Sequence, residues 1–290
     1  MYNLFAPFLL SLHSAGMSKN TIKNYQIDLE HFAQWYLETI GEEATPDRIT
    51  SLDLAEYQQY LATRDFKPAS INRRMAALRK YLKWAAEENI IKQVPKFPKG
   101  VSRVKLAPRA LKRNEMNALL RAVMQEGNKR DLAIIMTLMY CGLRVSELVS
   151  LKISDLELKE RAGKITVRGK GNKTREVPVP HEVREALRDY LTERKDRYQE
   201  LFLGQRGPLT VLGVQQMLKK YAYAAKIENL SPHVLRHTCA TYYLNKGMDL
   251  VKVAALLGHK NLNTTMVYTS PSFDDLAWAM EGKTREEGNR

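Results

Sequence analysis

The sequence has few cysteines and no long apolar run. Its two cysteines, Cys141 and Cys239, both lie in apolar, helix-like contexts, so we predict packed thiols in a reducing compartment and no disulfide. The apolar opening at residues 2–12 is too short to span a bilayer. It also lacks the basic start and the small-residue cleavage site of a signal peptide. We therefore expect a cytoplasmic protein without a membrane partner.

Acidic residues are outnumbered, since 32 Asp and Glu face 46 Lys and Arg, and the net charge is +14. This balance favours a polyanionic partner such as nucleic acid. Residues 67–105 contain only two acidic residues but eleven basic ones: Lys67, Arg73, Arg74, Arg79, Lys80, Lys83, Lys92, Lys96, Lys99, Arg103 and Lys105. A solvated helix face is the structural alternative, but acidic residues normally intersperse such a face. We predict that this stretch contacts DNA.

The chain is longer than one typical domain, and its pattern changes near residue 91. Residues 1–91 predict four helices, with apolar positions at three- and four-residue intervals. Two prolines and Gly100 then break any helix, so residues 92–108 are interpreted as a basic linker and residues 109–290 as a second domain. The predicted fold is mainly α with a small β-sheet or hairpin in the second domain (α+β). Two basic domains on a basic linker predict a two-domain, C-shaped clamp on DNA.

The second domain begins with helical patterns. An apolar helix over residues 130–140 is expected to end at Gly142. Arg144 then opens the next helix, and Glu147 lies three residues on, close enough to orient the guanidinium. The alternative is a surface ion pair of little energetic consequence.

Two β-prone runs follow, at residues 163–168 and 175–180, and they enclose a Gly-Lys-Gly turn centred on Lys170. The glycines allow the backbone to approach a ligand closely while the lysine reaches out. A solvated loop tip is the common alternative for such a lysine. The spacing of a nucleotide-binding P-loop is missing.

The most informative residues lie in the last fifth of the chain. His233 and Arg236 form a His-x-x-Arg pattern, His259 follows Gly258, and Tyr268 comes nine residues later. Together they could bind a phosphodiester and attack it with a phenol. Guanidinium groups hold non-bridging phosphate oxygens in a bidentate manner, and a tyrosine attacks phosphorus once a base or a positive field favours its ionised form.

These residues resemble the signature of the tyrosine recombinases, or phage-type integrases. That signature is Arg, Lys, His-x-x-Arg, His and Tyr, in that order, and the matching positions are Arg144, Lys170, His233, Arg236, His259 and Tyr268. The resemblance runs across residues 109–275 and more loosely across 1–95. It implies a site-specific recombinase that cleaves and rejoins double-stranded DNA through a 3′-phosphotyrosine bond. It also implies a homo-tetramer on two sites, with a second recombinase or an accessory protein as a further possibility, and a mechanism without metal or cofactor.

The resemblance also implies roles. Arg144 and Arg236 would clamp the phosphate, and His233 with the two arginines would favour ionisation of Tyr268. Lys170 would protonate the departing 5′ hydroxyl, and His259 would donate a hydrogen bond to the phosphate.

Several alternatives stay open at this point. Lys173 is a rival to Lys170, and the choice of Tyr268 depends on the family spacing from His259, since four other tyrosines are candidates by composition: Tyr221, Tyr223, Tyr242 and Tyr243. His233 and His237 stand four apart and could share a metal, although the Glu of a zinc hydrolase is missing. The amphipathic tail at residues 273–280 docks on a neighbouring subunit in the family, or packs on its own domain.

The short first domain makes the chain more similar to the Xer group or to transposon-borne members than to lambda-type integrases. Outside strand exchange, the rival functions are a type IB topoisomerase and a non-catalytic DNA-binding protein of the same fold.

Overall fold

The computed structural model describes residues 4–102, 108–169, 174–259 and residue 265. It divides the chain into two compact units, Met1–Lys105 and Leu106–Arg290, each with its own buried hydrophobic cluster. Helices dominate, and short antiparallel strands occur in the second unit, which confirms the predicted α+β class. Within these ranges, every helix is too short or too polar to cross a membrane.

The first unit contains the four predicted helices, which are α1 (Ala6–Ser14), α2 (Lys19–Ile40), α3 (Ser51–Thr63) and α4 (Pro68–Glu87). Local signals set where they begin. The Ser18 hydroxyl accepts a hydrogen bond from the Thr21 N–H at the start of α2, and Thr50 and Asp53 form a reciprocal capping box on α3. Pro68 is the first residue of α4, where its missing N–H costs nothing.

Aromatic rings fill the core of this unit. Phe32 and Tyr57 meet edge to face, with centroids 4.9 Å apart, and Phe8 and Tyr81 do so at 5.4 Å. All four rings are buried. Because burying one large apolar side chain stabilises a fold by about 1.5–3 kcal/mol, this cluster provides much of the cohesion of the four helices.

The basic run of the first unit is not uniform. Arg74 is buried, lies 4.2 Å from the centroid of the Phe66 ring, and pairs at 3.6 Å with the buried carboxylate of Asp28, which Arg73 also contacts. Arg74 is therefore a core residue, and the prediction that the whole run faces DNA is wrong at this position. A buried guanidinium is tolerated because a carboxylate and a ring face replace its water. Exposed lysines of the run remain: Lys67, Lys83, Lys92, Lys96 and Lys99.

Part of the segment interpreted as a linker lies against the first unit. The Lys96 N–H donates to the Ser51 hydroxyl at 2.9 Å, and the Asn72 side chain makes two hydrogen bonds to the backbone of Val101, at 2.8 and 2.9 Å. Since these bonds join the segment to α3 and α4, the first unit extends to at least residue 101.

The described residues of the second unit form seven α-helices, one short 3₁₀ helix (Ile153–Asp155) and two small sheets. The helices are α5 (Arg113–Glu126), α6 (Lys129–Cys141), α7 (Val145–Val149), α8 (His181–Glu193), α9 (Val211–Ala224), α10 (Pro232–Asn245) and α11 (Leu250–Leu257). The strands are β1 (Leu156–Leu158), β2 (Gly163–Arg168), β3 (Thr174–Pro178), β4 (Leu203–Gly204) and β5 (Gly207–Pro208). The sheets are antiparallel, with the orders β1-β2-β3 and β4-β5.

The predicted strand pair is confirmed as β2 and β3. Its register places Arg168 opposite Thr174 and Val167 opposite Arg175. Ile165, Val167 and Val177 are buried in the core, as the two-residue period of a strand requires.

The buried helix α6 ends at Gly142 in the left-handed conformation, as predicted, and packs against α8 and α10. Helix α10 begins at Pro232, with Ser231 as its N-cap. Helices α8 and α9 were not predicted from the sequence. Cys141 and Cys239 are buried and free, which confirms the predicted packed thiols.

Candidate active site

Arg144 lies at the N-cap of α7, one turn from Glu147. Its main-chain N–H donates to one Glu147 oxygen at 2.8 Å, and its guanidinium donates to the other at 2.9 Å. A further N–H reaches the carbonyl of Gly258 at 3.3 Å, and 43% of the side chain is exposed. The predicted orienting pair is therefore present. Among the described residues the other guanidinium N–H groups have no acceptor, so they are accessible to an anion such as a phosphate.

Arg236 is held very differently, on the inner side of α10. Its side chain is buried and donates to the carbonyls of Gly142 at 2.5 Å and Leu257 at 2.6 Å. These carbonyls lie at the C-terminal ends of α6 and α11, where helices leave acceptors unsatisfied and carry partial negative charge. A guanidinium suits this position because it satisfies both acceptors and complements the charge.

Both arginines therefore contact the same short segment at the end of α11. Arg236 bonds to the carbonyl of Leu257 and Arg144 to that of Gly258, the next residue. Gly258 has φ +65°, a left-handed conformation that suits glycine, and it turns the chain so that His259 follows directly. The fold thus brings together three predicted site residues that are 92 and 23 positions apart in the sequence.

His259 lies half-buried beside these charges, and its Nδ1 is 2.8 Å from the hydroxyl of Thr265. Burial lowers the pKa of His259. The nearby guanidinium groups of Arg236, Arg144 and Arg175, together with the titratable His237, lower it further, to about 4. The imidazole is therefore neutral at pH 7. It can act as a neutral hydrogen-bond donor or acceptor, while the arginines provide the positive charge of the site.

His233 and His237 share one face of α10, with ring centroids 6.3 Å apart. His233 is exposed, as an acid–base group that meets a substrate needs to be. His237 is half-buried, and its pKa is lowered by burial and by the nearby His233 and Arg236. In the described ranges, no third His, Cys, Asp or Glu joins this pair in a metal-ligating group.

Arg175 is a further residue of this site and was not among the residues predicted from the sequence. From β3 it donates to both oxygens of Glu147, at 2.8 and 2.9 Å. Burial alone would raise the pKa of Glu147, but the hydrogen bonds from Arg175 and Arg144 lower it to about 2. A signal did exist in the sequence. Arg175 is in phase with Val177 and Val179 on the inward face of an alternating strand, where an arginine requires a buried partner.

Several predicted residues lie outside the described residues. These are Lys170, its rival Lys173, Tyr268 and the tail at residues 273–280. Of the four competing tyrosines, Tyr221 is buried and donates to Asp131 at 3.0 Å, and Tyr243 donates to the carbonyl of Tyr140. Burial raises the pKa of both phenols, which disfavours them as nucleophiles. Tyr242 is half-buried, and Tyr223 is 90% exposed.

The chemistry available here is that of anion binding. Two guanidinium groups, one half-exposed and one buried, donate to carbonyls at the end of one helix, beside a neutral imidazole. A tetrahedral phosphate that becomes more negative during attack would be stabilised by such preorganised donors. A removable donor of this kind typically contributes about 3–4 kcal/mol to lowering a barrier.

The chain is similar to known proteins over both of its units. Residues 109–274 match the phage integrase family, and residues 6–89 match the phage integrase N-terminal SAM-like domain. A tyrosine recombinase XerA from Thermococcus kodakarensis is 34% identical over 273 residues, covering 92% of this chain and 90% of the relative. A tyrosine recombinase XerD from Proteus mirabilis is 35% identical over 275 residues, covering 88% and 83%.

A solved structure shares the fold as well. It is a XerH site-specific recombinase bound to difH substrate in a pre-cleavage complex, with a TM-score of 0.72 and 26% identity, covering 89% of this chain and 78% of that chain.

Proposed function

The chain belongs to the phage integrase family and is a tyrosine site-specific recombinase, and from this premise we propose that Tyr268 cuts one strand of a double-stranded recombination site. The observation that supports this most is the gathering of Arg144, Arg236 and His259 at the end of α11. The phenolic oxygen attacks phosphorus and the P–O5′ bond breaks. The products are a 3′-phosphotyrosine bond and a free 5′ hydroxyl. Attack by the 5′ hydroxyl of another strand then restores a phosphodiester and releases the tyrosine.

In this mechanism the arginines bind the non-bridging oxygens. Arg144 reaches them with its accessible N–H groups, and Arg236, fixed between two helix ends, contributes a charge that does not have to reorganise. His259 donates from Nε2 when the Thr265 hydroxyl donates to Nδ1, and its neutrality at pH 7 suits a hydrogen-bond donor.

Two proton transfers complete the exchange. A free phenol has a pKa near 10, so only about one in a thousand is ionised at neutral pH. His233, exposed on α10, takes the proton of Tyr268, and the arginines favour the phenolate. Lys170 protonates the leaving 5′ oxygen, and Lys173 is the rival for that role.

The assignment also includes the partners and the arrangement on DNA. Both units bind the same duplex, and the exposed lysines of the first unit contact its phosphates. A homo-tetramer acts on two sites, alone or with a second recombinase or an accessory protein. We place the protein in the cytoplasm, by likeness to its XerA and XerD relatives, which are tyrosine recombinases. The XerH–difH complex supports the DNA partner.

A covalent-adduct assay tests the nucleophile. Wild type, Tyr268→Phe and the control Tyr223→Phe are incubated without divalent metal with nicked duplexes that carry candidate inverted-repeat sites, and are then denatured in SDS. Tyr223 is the matched control because it is the 90% exposed tyrosine of the same unit. Adducts are expected with wild type and Tyr223→Phe only. An SDS-stable adduct with Tyr268→Phe would refute the assignment.

A second assay separates the function from its rivals. Two duplexes with different end labels are mixed, and recombinant products are scored beside relaxation of a supercoiled plasmid. Strand exchange is expected. Relaxation without exchange would indicate a type IB topoisomerase, and binding without any adduct would indicate a non-catalytic DNA-binding protein.

A further inference from the structure

The buried carboxylate of Glu147 joins two elements that are distant in the sequence. It accepts hydrogen bonds from the main-chain N–H and the guanidinium of Arg144, at the start of α7. It also accepts hydrogen bonds from both terminal nitrogens of Arg175, on β3. Only 7% of the Glu147 side chain is exposed. One carboxylate is thus shared by two guanidinium groups, one accessible and one enclosed.

Arg175 is placed to act through Glu147 and not on a substrate. Both of its terminal nitrogens already donate to the carboxylate, and 19% of its side chain is exposed, compared with 43% for Arg144. Its guanidinium also lies against Gly258, where an added Cβ would be 2.9 Å from Nε and 3.0 Å from Cζ. The carbonyl of Gly258 accepts from Arg144. Arg175 therefore bonds to Glu147 and lies beside Gly258, the two residues whose oxygens accept from Arg144.

The charge balance at Glu147 determines how Arg144 pairs with this carboxylate. With Arg175 in place, the bidentate pair fills about half of the acceptor positions of the carboxylate, and Arg144 makes only one side-chain bond to it. Without Arg175, a buried carboxylate would have a single cationic neighbour. That arrangement favours a bidentate Arg144–Glu147 pair, which turns the remaining N–H groups of Arg144 away from an incoming phosphate.

We propose that Arg175 is a positioning residue that, through Glu147, keeps the guanidinium of Arg144 in its phosphate-binding orientation. This inference rests on the proposed role of Arg144 as a phosphate clamp. It adds a long-range requirement to the site, because β3 and α7 must be correctly packed before Arg144 can act.

The first test compares Arg175→Gln with Arg168→Gln. Arg168 is a matched control because it lies on the neighbouring strand β2, pairs with the buried Asp155 at 2.9 Å and carries the same charge. Single-turnover adduct formation should slow roughly 10- to 100-fold in Arg175→Gln, as expected for a displaced transition-state donor. Arg168→Gln should stay within about threefold of wild type. Arg175→Lys, which keeps the charge but not the planar fork, should be intermediate.

The second test identifies the step affected. A methylphosphonate at the scissile position has no charge on its non-bridging oxygens, so it depends less on a phosphate-clamping arginine. If Arg175 acts through Arg144, the defect of Arg175→Gln should shrink to less than about threefold on this substrate, as should that of Arg144→Ala. A merely structural role would slow both substrates equally.

The outcomes are distinguishable. An equal defect of Arg175→Gln on phosphate and methylphosphonate, or a defect shared by Arg168→Gln, would overturn the positioning role while leaving the recombinase mechanism intact. If wild type forms no adduct on either substrate but Arg144→Ala still binds DNA normally, the proposed function of the site fails, and the role of Arg175 fails with it.

Discussion

Replacing Arg236 with alanine is expected to destabilise the second unit, whereas Arg144→Ala is expected to leave it nearly intact. Both residues belong to the proposed phosphate clamp, so their function alone would predict similar effects of the two substitutions. The structure separates them. Arg236 is buried and satisfies two helix-end carbonyls, while Arg144 is 43% exposed and its carboxylate partner keeps Arg175.

The size of the effect follows from these contacts. A hydrogen bond from a charged donor contributes about 1.5–3 kcal/mol, so the two bonds of Arg236 predict a loss of about 3–6 kcal/mol. The guanidinium of Arg144 is largely solvated and Glu147 keeps both bonds from Arg175, so Arg144→Ala predicts a loss of about 1 kcal/mol or less. For a unit of this size, about 2–4 °C is lost per kcal/mol, so the melting temperature should fall by more than about 6 °C in Arg236→Ala.

The measurement is urea unfolding followed by far-ultraviolet circular dichroism on the full chain, with hydrogen exchange of the α10 and α11 amides to locate the weakened unit. Arg236→Lys is the matched control, because an ammonium can still donate to either carbonyl. It should recover part of the stability. Equal stabilities of Arg236→Ala and Arg144→Ala would refute the anchoring role of Arg236.

Two further predictions concern the same region. Gly142→Ala should lower the free energy of unfolding by about 2–5 kcal/mol, since its Cβ would lie 2.6 Å from Leu257 and 2.9 Å from Cys239 at φ +62°, and overpacking adds to the left-handed strain. Gly127 has φ +71° and nothing within 4 Å of an added Cβ, so Gly127→Ala should lose only the stability that the left-handed strain costs. For His259, whose folded pKa is about 4, stability should fall as the pH falls from 6.5 to 4, because only the unfolded chain gains the proton. His259→Gln should remove about 1–2 kcal/mol of that pH dependence, a value reduced for partial exposure.

Both predictions can be checked by urea unfolding. The packing argument would be contradicted by equal losses in Gly142→Ala and Gly127→Ala. The titration argument would be contradicted by the same slope of stability against pH in wild type and His259→Gln between pH 6.5 and 4.

Much of the local structure could be predicted from the sequence, because its signals lie within one or two turns. The four helices of the first unit, the end of α6 at Gly142 and the Arg144–Glu147 pair all depend on periodicity, capping or three-residue spacing. The family signature identified the candidate site by the order of its residues. The roles of Lys170 and Tyr268 are still predictions.

Contacts between distant residues were decided by the tertiary structure alone. From the sequence, Arg74 cannot be distinguished from the other basic residues of its run. In the structure it is buried beside Asp28 and Phe66. The signature treats Arg144 and Arg236 alike, but the fold exposes one and buries the other between two helix ends. The physical reason is that a side chain's exposure and charge partners depend on which elements meet around it. The periodicity of a single helix or strand does not show which other elements pack against it.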